Sequence, residues 1–170
     1  DAELARIGGE IIAGRCPKLT KLLLSNNAIG DSGCVRLAAA IDIDDPKVFL
    51  GAGRAPELQT LALAHNEISD VGVARLSSAL GANRCPKLMS LGLSGNKLCD
   101  PGITALSEAL KAGGCPNLVA LALGDTGVTD LGATRLSGAL EAGMCPNLCE
   151  LYLQANAFST MGATAIATAI

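Results

Sequence analysis

The chain has 170 residues, a net charge of −3 and 49% apolar residues, yet only one tyrosine, two phenylalanines and no tryptophan. This slight acidity, with no cluster of lysine or arginine interleaved with aromatics, argues against nucleic acid as the main partner. No run approaches the roughly 18 apolar residues of a membrane-spanning helix.

Taken in chain order, residues 1–15 match only the second half of a unit that then begins anew at Cys16, Ala55, Cys85, Cys115 and Cys145. Self-similarity at a fixed period marks a repeat architecture. The first half of each unit alternates. Leu61 and Leu63 are flanked by Thr60, Ala62 and Ala64, the period of a short strand with one buried face. Successive strands of this kind stack in parallel only through a crossover, which the second half of the unit supplies. There Val73, Leu76 and Leu80, and likewise Ile103, Leu106 and Leu110, mark one face of a helix. Asp70, Asp100 and Asp130 stand at the helix starts, where a carboxylate accepts from the first free N–H groups, and Pro101 follows at the one position that tolerates it.

Two columns recur in phase. Gly33, Gly72, Gly102, Gly132 and Gly162 predict a close approach of the helix start to the sheet. Asn27, Asn66, Asn96 and Asn156 fall at the bend after the strand, where backbone groups need side-chain partners. Thr126 takes that place in the fourth unit and predicts its weakest bend.

The first unit is longer than the others by the segment 42–50. Its Asp42, Asp44 and Asp45 lack the glycine bend and distant glutamate of a calcium loop. Two readings of the segment stand side by side. Val48, Phe49 and Leu50 fold back over the core, or the segment protrudes as a non-repeating contact site with Asp44, Asp45 and the anchor Phe49.

The cysteines lack metal-ligand spacing, and Cys16, Cys85, Cys115 and Cys145 recur once per unit. They are expected to pack as small buried thiols, as are Cys34, Cys99 and Cys149, and free thiols in such number predict an intracellular, reducing compartment. His65, the only histidine, falls at the rim of the strand as a solvated side chain and has no nucleophile motif beside it. Gly51, Gly53, Gly113 and Gly114 form no phosphate loop and are read as helix ends. No enzyme, cofactor or metal is expected.

The pattern Leu-x-x-Leu-x-Leu-x-x-Asn-x-Ile, carried by Leu58, Leu61, Leu63, Asn66 and Ile68 and repeated in five units, resembles the leucine-rich repeat family. The helix in each unit is similar to the long, ribonuclease-inhibitor-like class. That resemblance implies an α/β solenoid over residues 1–170, a horseshoe arc with a parallel sheet on the concave face and helices outside. It also implies the Asn ladder and a concave binding face. On that face stand Lys21, Thr60, Ser90, Ala120 and Glu150, then Leu23, Ala62, Gly92, Ala122 and Tyr152, then Ser25, Ala64, Ser94, Gly124 and Gln154. Its centre of Ala, Gly and Ser lacks the aromatic and arginine anchors usual at interfaces. On the helices Arg6, Arg36, Arg75 and Arg135 share one phase and offer a row to an acidic partner. Solenoid ends need polar caps, and neither end of this chain carries one, so further repeats or other subunits are expected to cover them. The function expected is a non-catalytic protein-interaction scaffold. The alternative is a structural subunit docked permanently in a large assembly, including one at a membrane.

Overall fold

In a computed structural model, residues 16, 18–41 and 57–170 are described. The helix expected within 1–15, Arg6, and the 42–50 segment with Asp44, Asp45 and Phe49 lie outside them.

Among the described residues, five three-residue strands alternate with five helices. They run β1 (Lys21–Leu23), α1 (Asp31–Ile41), β2 (Thr60–Ala62), α2 (Asp70–Gly81), β3 (Ser90–Gly92), α3 (Asp100–Lys111), β4 (Ala120–Ala122), α4 (Asp130–Glu141), β5 (Glu150–Tyr152) and α5 (Thr160–Thr168). The strands form one parallel sheet in sequence order, with Leu22, Leu61, Leu91, Leu121 and Leu151 in a single register. Each helix packs on the next, so among the described residues the elements of each unit touch only those of its neighbours, as a solenoid requires.

The core is one continuous layer stack. Leu61 and Leu121 from the strands, Leu63, Leu93 and Leu123 directly after them, and Leu37, Leu76, Leu106 and Leu136 from the helices, are all 0–1% exposed. With Phe158 the one ring packed against this core among the described residues, aliphatic interlocking supplies most of the burial, at about 25 cal/mol per Å² of apolar surface removed from water.

The asparagine ladder forms. Asn66 Nδ2 donates to Leu24 O and Leu63 O, each at 2.9 Å, while its Oδ1 accepts from Ile29 N at 3.1 Å. Asn96 repeats this between Leu63 O, Leu93 O and Ile68 N, and Asn156 between Leu123 O, Leu153 O and Val128 N. Thr126 makes no side-chain bond back to the preceding unit; its Oγ1 donates to Leu123 O of its own unit at 2.8 Å and to Asn156 Oδ1 of the next at 3.2 Å. The amide of Leu98 therefore lacks the side-chain acceptor that Ile29, Ile68 and Val128 have.

Two expectations are corrected. The helix-start aspartates do not cap their own helices; each reaches forward to the next. Asp31 Oδ1 accepts from Ser69 N (2.8 Å) and Gly72 N (3.0 Å), and Asp70, Asp100 and Asp130 do the same for α3, α4 and α5. The N-caps themselves are Ser69, Cys99, Thr129 and Ser159. The glycine column follows from that geometry, not from the sheet. A Cβ on Gly72, Gly102, Gly132 or Gly162 would lie 2.5–2.7 Å from the Oδ1 of the preceding aspartate. Glycine is needed because a carboxylate sits where a side chain would start.

Among the cysteines, Cys34, Cys85 and Cys115 are buried, and Cys16 and Cys145 half-buried. Cys99 and Cys149 are exposed, contrary to expectation, because both flank core leucines on the side that faces away from the core.

Candidate interaction face

The outward face of the sheet is built by register. One row runs Lys21, Thr60, Ser90, Ala120, Glu150 and the next Leu23, Ala62, Gly92, Ala122, Tyr152, each residue paired with its neighbour across a parallel ladder. Alternation along a strand leaves no choice about the opposite side. Leu22, Leu61, Leu91 and Leu121 point into the core, so the residues on either side of each must point out.

The floor is flat where side chains are small and rises at both edges. Leu23 in β1 is 67% exposed and Tyr152 in β5 is 47% exposed, whereas Ala62, Gly92 and Ala122 between them are half-buried by their neighbours alone. Tyr152 OH donates to Glu150 Oε2 at 3.1 Å, and that hydrogen bond, followed by the carboxylate charge, raises the phenol above its ordinary value. Gln154 lies over Gly124, whose added Cβ would come within 2.6 Å of its Nε2, and Ser94 Oγ accepts from Gly124 N at 3.0 Å. The β5 end of the floor is thus polar and aromatic, and the β1 end sets Lys21 beside the apolar Leu23.

At the rim each strand turns through a left-handed residue: Asn26, His65, Gly95, Asp125 and Ala155, with φ of 52–68°. Asn, His, Gly and Asp suit that conformation, and Ala does not. His65 is exposed, as expected, and its imidazole stands over Gly95, where a Cβ would collide with Nδ1. Glycine's freedom serves there twice, for the turn and for the ring above it.

On the helices, Arg36, Arg75 and Arg135 are exposed and stand in one phase. No described carboxylate forms an ion pair with any of them; the ion pairs among the described residues are Lys87 with Glu57 and Lys111 with Glu108. Sequence reasoning missed two features. A groove of about 530 Å³ follows the edge where the strands begin, lined by Gln59, Met89, Val119 and Cys149, with Asn117 and Asn147 tied to Pro86 O and Pro116 O. And Val71, Pro101, Leu131 and Met161, one phase from the Asp column, are exposed apolar residues on four successive helices. The signal for the second was present as a column, but reading each helix by its inward face passed over it.

Burial pushes the thiols of Cys34, Cys85 and Cys115 up to about 12, with the Asp31 carboxylate adding to the effect at Cys34, so all three are neutral packing groups at physiological pH. For Asp31, partial burial works toward a higher value, but hydrogen bonds from Ser69 Oγ and from the amides of Ser69 and Gly72 outweigh it, and the carboxyl lies below its ordinary range. Asp130 is lowered as well, chiefly by the hydrogen bond from Ser159 Oγ. Among the described residues no group of three or more His, Cys, Asp or Glu is placed to hold a metal ion, and no helix is long and apolar enough to cross a membrane.

Comparison with known proteins follows the same lines. The chain is similar over 98% of its length, at 16% identity and a TM-score of 0.69, to a solved structure titled leiomodin-1 actin-binding site 2, of which it covers 85%. An internalin from Listeria monocytogenes is more distant, with a TM-score of 0.43, 19% identity, 91% of this chain and 47% of that one covered. No curated protein matches the sequence. The pattern described as Leucine Rich repeat matches residues 15–38, 56–77, 84–107 and 114–137, more than half of the chain, and with the in-register leucines and the asparagine ladder it shows that the chain belongs to the leucine-rich repeat family.

Proposed function

We propose that this chain is a non-catalytic protein-interaction scaffold that receives its partner on the outward face of the sheet. One observation carries the reading. Five strands in unbroken register present a floor of Thr60, Ala62, Ser90, Gly92, Ala120 and Ala122 between two exposed anchors, Leu23 and Tyr152. Tyrosine is among the usual carriers of interface energy, an exposed leucine adds apolar surface to bury, and small residues between them let a partner's backbone come close. Membership of a family that typically builds interaction modules supports it. The residues proposed to touch the partner are Lys21, Leu23, Thr60, Ser90, Glu150, Tyr152 and Gln154. The seven cysteines, none paired in a disulfide, support a reducing compartment as the working location.

The test is quantitative capture from the native cell extract with the wild-type chain and two variants. Ala62→Arg with Ala122→Arg fills the floor without touching the core, and Tyr152→Ala removes an anchor. A specific partner should be lost with the first and weakened about tenfold or more with the second. Partners retained equally by both variants would place binding elsewhere and end this reading.

A further inference from the structure

We infer a second interaction surface on the helices, a site for an acidic amphipathic helix of a partner protein. Val71 is 63%, Leu131 56% and Met161 73% exposed, and Pro101 lies in the same row between the first two. Single exposed apolar residues are ordinary on protein surfaces. Four in one phase on the consecutive helices α2 to α5 are not scattered; the stacking places them side by side as a ridge. Each occupies the second residue of its helix; Pro101 suits the start of a helix by its fixed φ, whereas helix geometry there asks for no apolar side chain at Val71, Leu131 or Met161.

One turn further along, Arg75 follows Val71 and Arg135 follows Leu131, so residues at i and i+4 stand together on the surface. Both guanidinium groups are exposed, and no described carboxylate neutralises them. Between α3 and α4 the two features meet. A groove of about 500 Å³ there is lined by Pro101, Thr104, Leu131 and Arg135, with Asp100 at its edge. The Asp100 carboxylate already accepts hydrogen bonds from Thr129 and Gly132 of the next helix, which leaves the arginines as the charged donors open to a ligand.

Charge complementarity selects the occupant. An apolar stripe beside uncompensated guanidinium groups fits a helix with leucine-like residues on one face and carboxylates along one flank, with arginine giving the carboxylates paired donors. A sheet of anionic lipid is the poorer fit. It would press phosphates against the Asp70, Asp100 and Asp130 row as well as against the arginines, whereas a helix can set its charges on one side only.

The intact chain is titrated with a fluorescent synthetic helix that carries leucines on one face and glutamates on one flank, and in parallel with the same peptide bearing lysines. Saturable binding of the glutamate peptide is expected, weakened about tenfold by Leu131→Ser and by the pair Arg75→Glu and Arg135→Glu. The arginine-reversed variant should then prefer the lysine peptide, a gain that misfolding cannot produce. Tyr152→Ala, on the sheet, should leave this binding unchanged, so the two proposed surfaces fail or stand separately. Absence of binding, equal affinity for both peptides, indifference to Leu131→Ser, or stronger association with phosphatidylserine vesicles than with the peptide would overturn the inference.

Discussion

Ser77 and Ser107 lie buried in α2 and α3, 2% and 0% exposed, and their hydroxyls have no hydrogen-bond partner. Ser137 occupies the same phase in α4 and donates to Thr134 O at 2.9 Å. An unsatisfied buried hydroxyl carries a desolvation cost that alanine does not. Ser77→Ala and Ser107→Ala should each raise unfolding free energy by about 1 kcal/mol in chemical denaturation, and Ser137→Ala should not. Thiols give a second check at this scale. With Cys99 and Cys149 exposed and Cys34, Cys85 and Cys115 held neutral near 12, a thiol-specific reagent should label the first two rapidly in the native protein and the other three only on unfolding. The sequence placed Cys34 in the core through its helical phase. It misplaced Cys99 and Cys149, because adjacency to a core leucine along the chain means the opposite face of an extended backbone.

Two units depart from the design that joins one repeat to the next, and each departure has a repair. At the start of α3 the N-cap is Cys99, which makes no side-chain cap, whereas Ser69, Thr129 and Ser159 both cap their helices and donate to the preceding aspartate. Cys99→Ser should add both bonds and raise stability by about 1 kcal/mol, read as a shift in the denaturation midpoint. At the bend of the fourth unit, Thr126→Asn should restore donors toward Leu93 O and an acceptor for Leu98 N. The expected gain is about 1 kcal/mol, together with slower hydrogen exchange at the Leu98 amide. That the asparagines serve backbone groups at the bend was legible in the sequence, because a recurring polar residue there has few other uses, and the resemblance to the family implied the ladder between units. The direction of the aspartate capping was not. Asp31 and Ser69 are 38 residues apart, and only stacking brings them to 2.8 Å. For the same reason the glycine column was recognised as a close approach with the wrong neighbour assigned. The outward rows of the sheet followed from period-2 alternation, which admits one answer once Leu61 is inside. The apolar ridge on the helices did not, since each helix in isolation shows one exposed residue, and the ridge exists only when four helices are set in order.

At the scale of the whole molecule the chain has no centre that every contact shares; each unit is held by the one before and the one after. Stability in such a stack is a sum of unit terms and interface terms, so the same substitution should cost different amounts at different places. Leu91 and Leu151 test this directly. They occupy one register of the sheet and the same position in their repeats, yet Leu91 is 1% exposed between β2 and β4, and Leu151, in the last strand, is only partly buried with one paired neighbour. Leu91→Ala opens a cavity enclosed by units on both sides and should cost about 2–5 kcal/mol, the range for a large-to-small change in a closed core. In the chain of 170 residues Leu151→Ala removes the same atoms where less surface was withdrawn from water, and should cost clearly less than that. Equilibrium denaturation of both variants beside the wild type decides the matter. Equal losses would mean that cooperativity spans all units so tightly that position no longer counts. A larger loss at Leu91, with the last unit exchanging its amides first, is what a linear stack of nearest-neighbour interfaces demands.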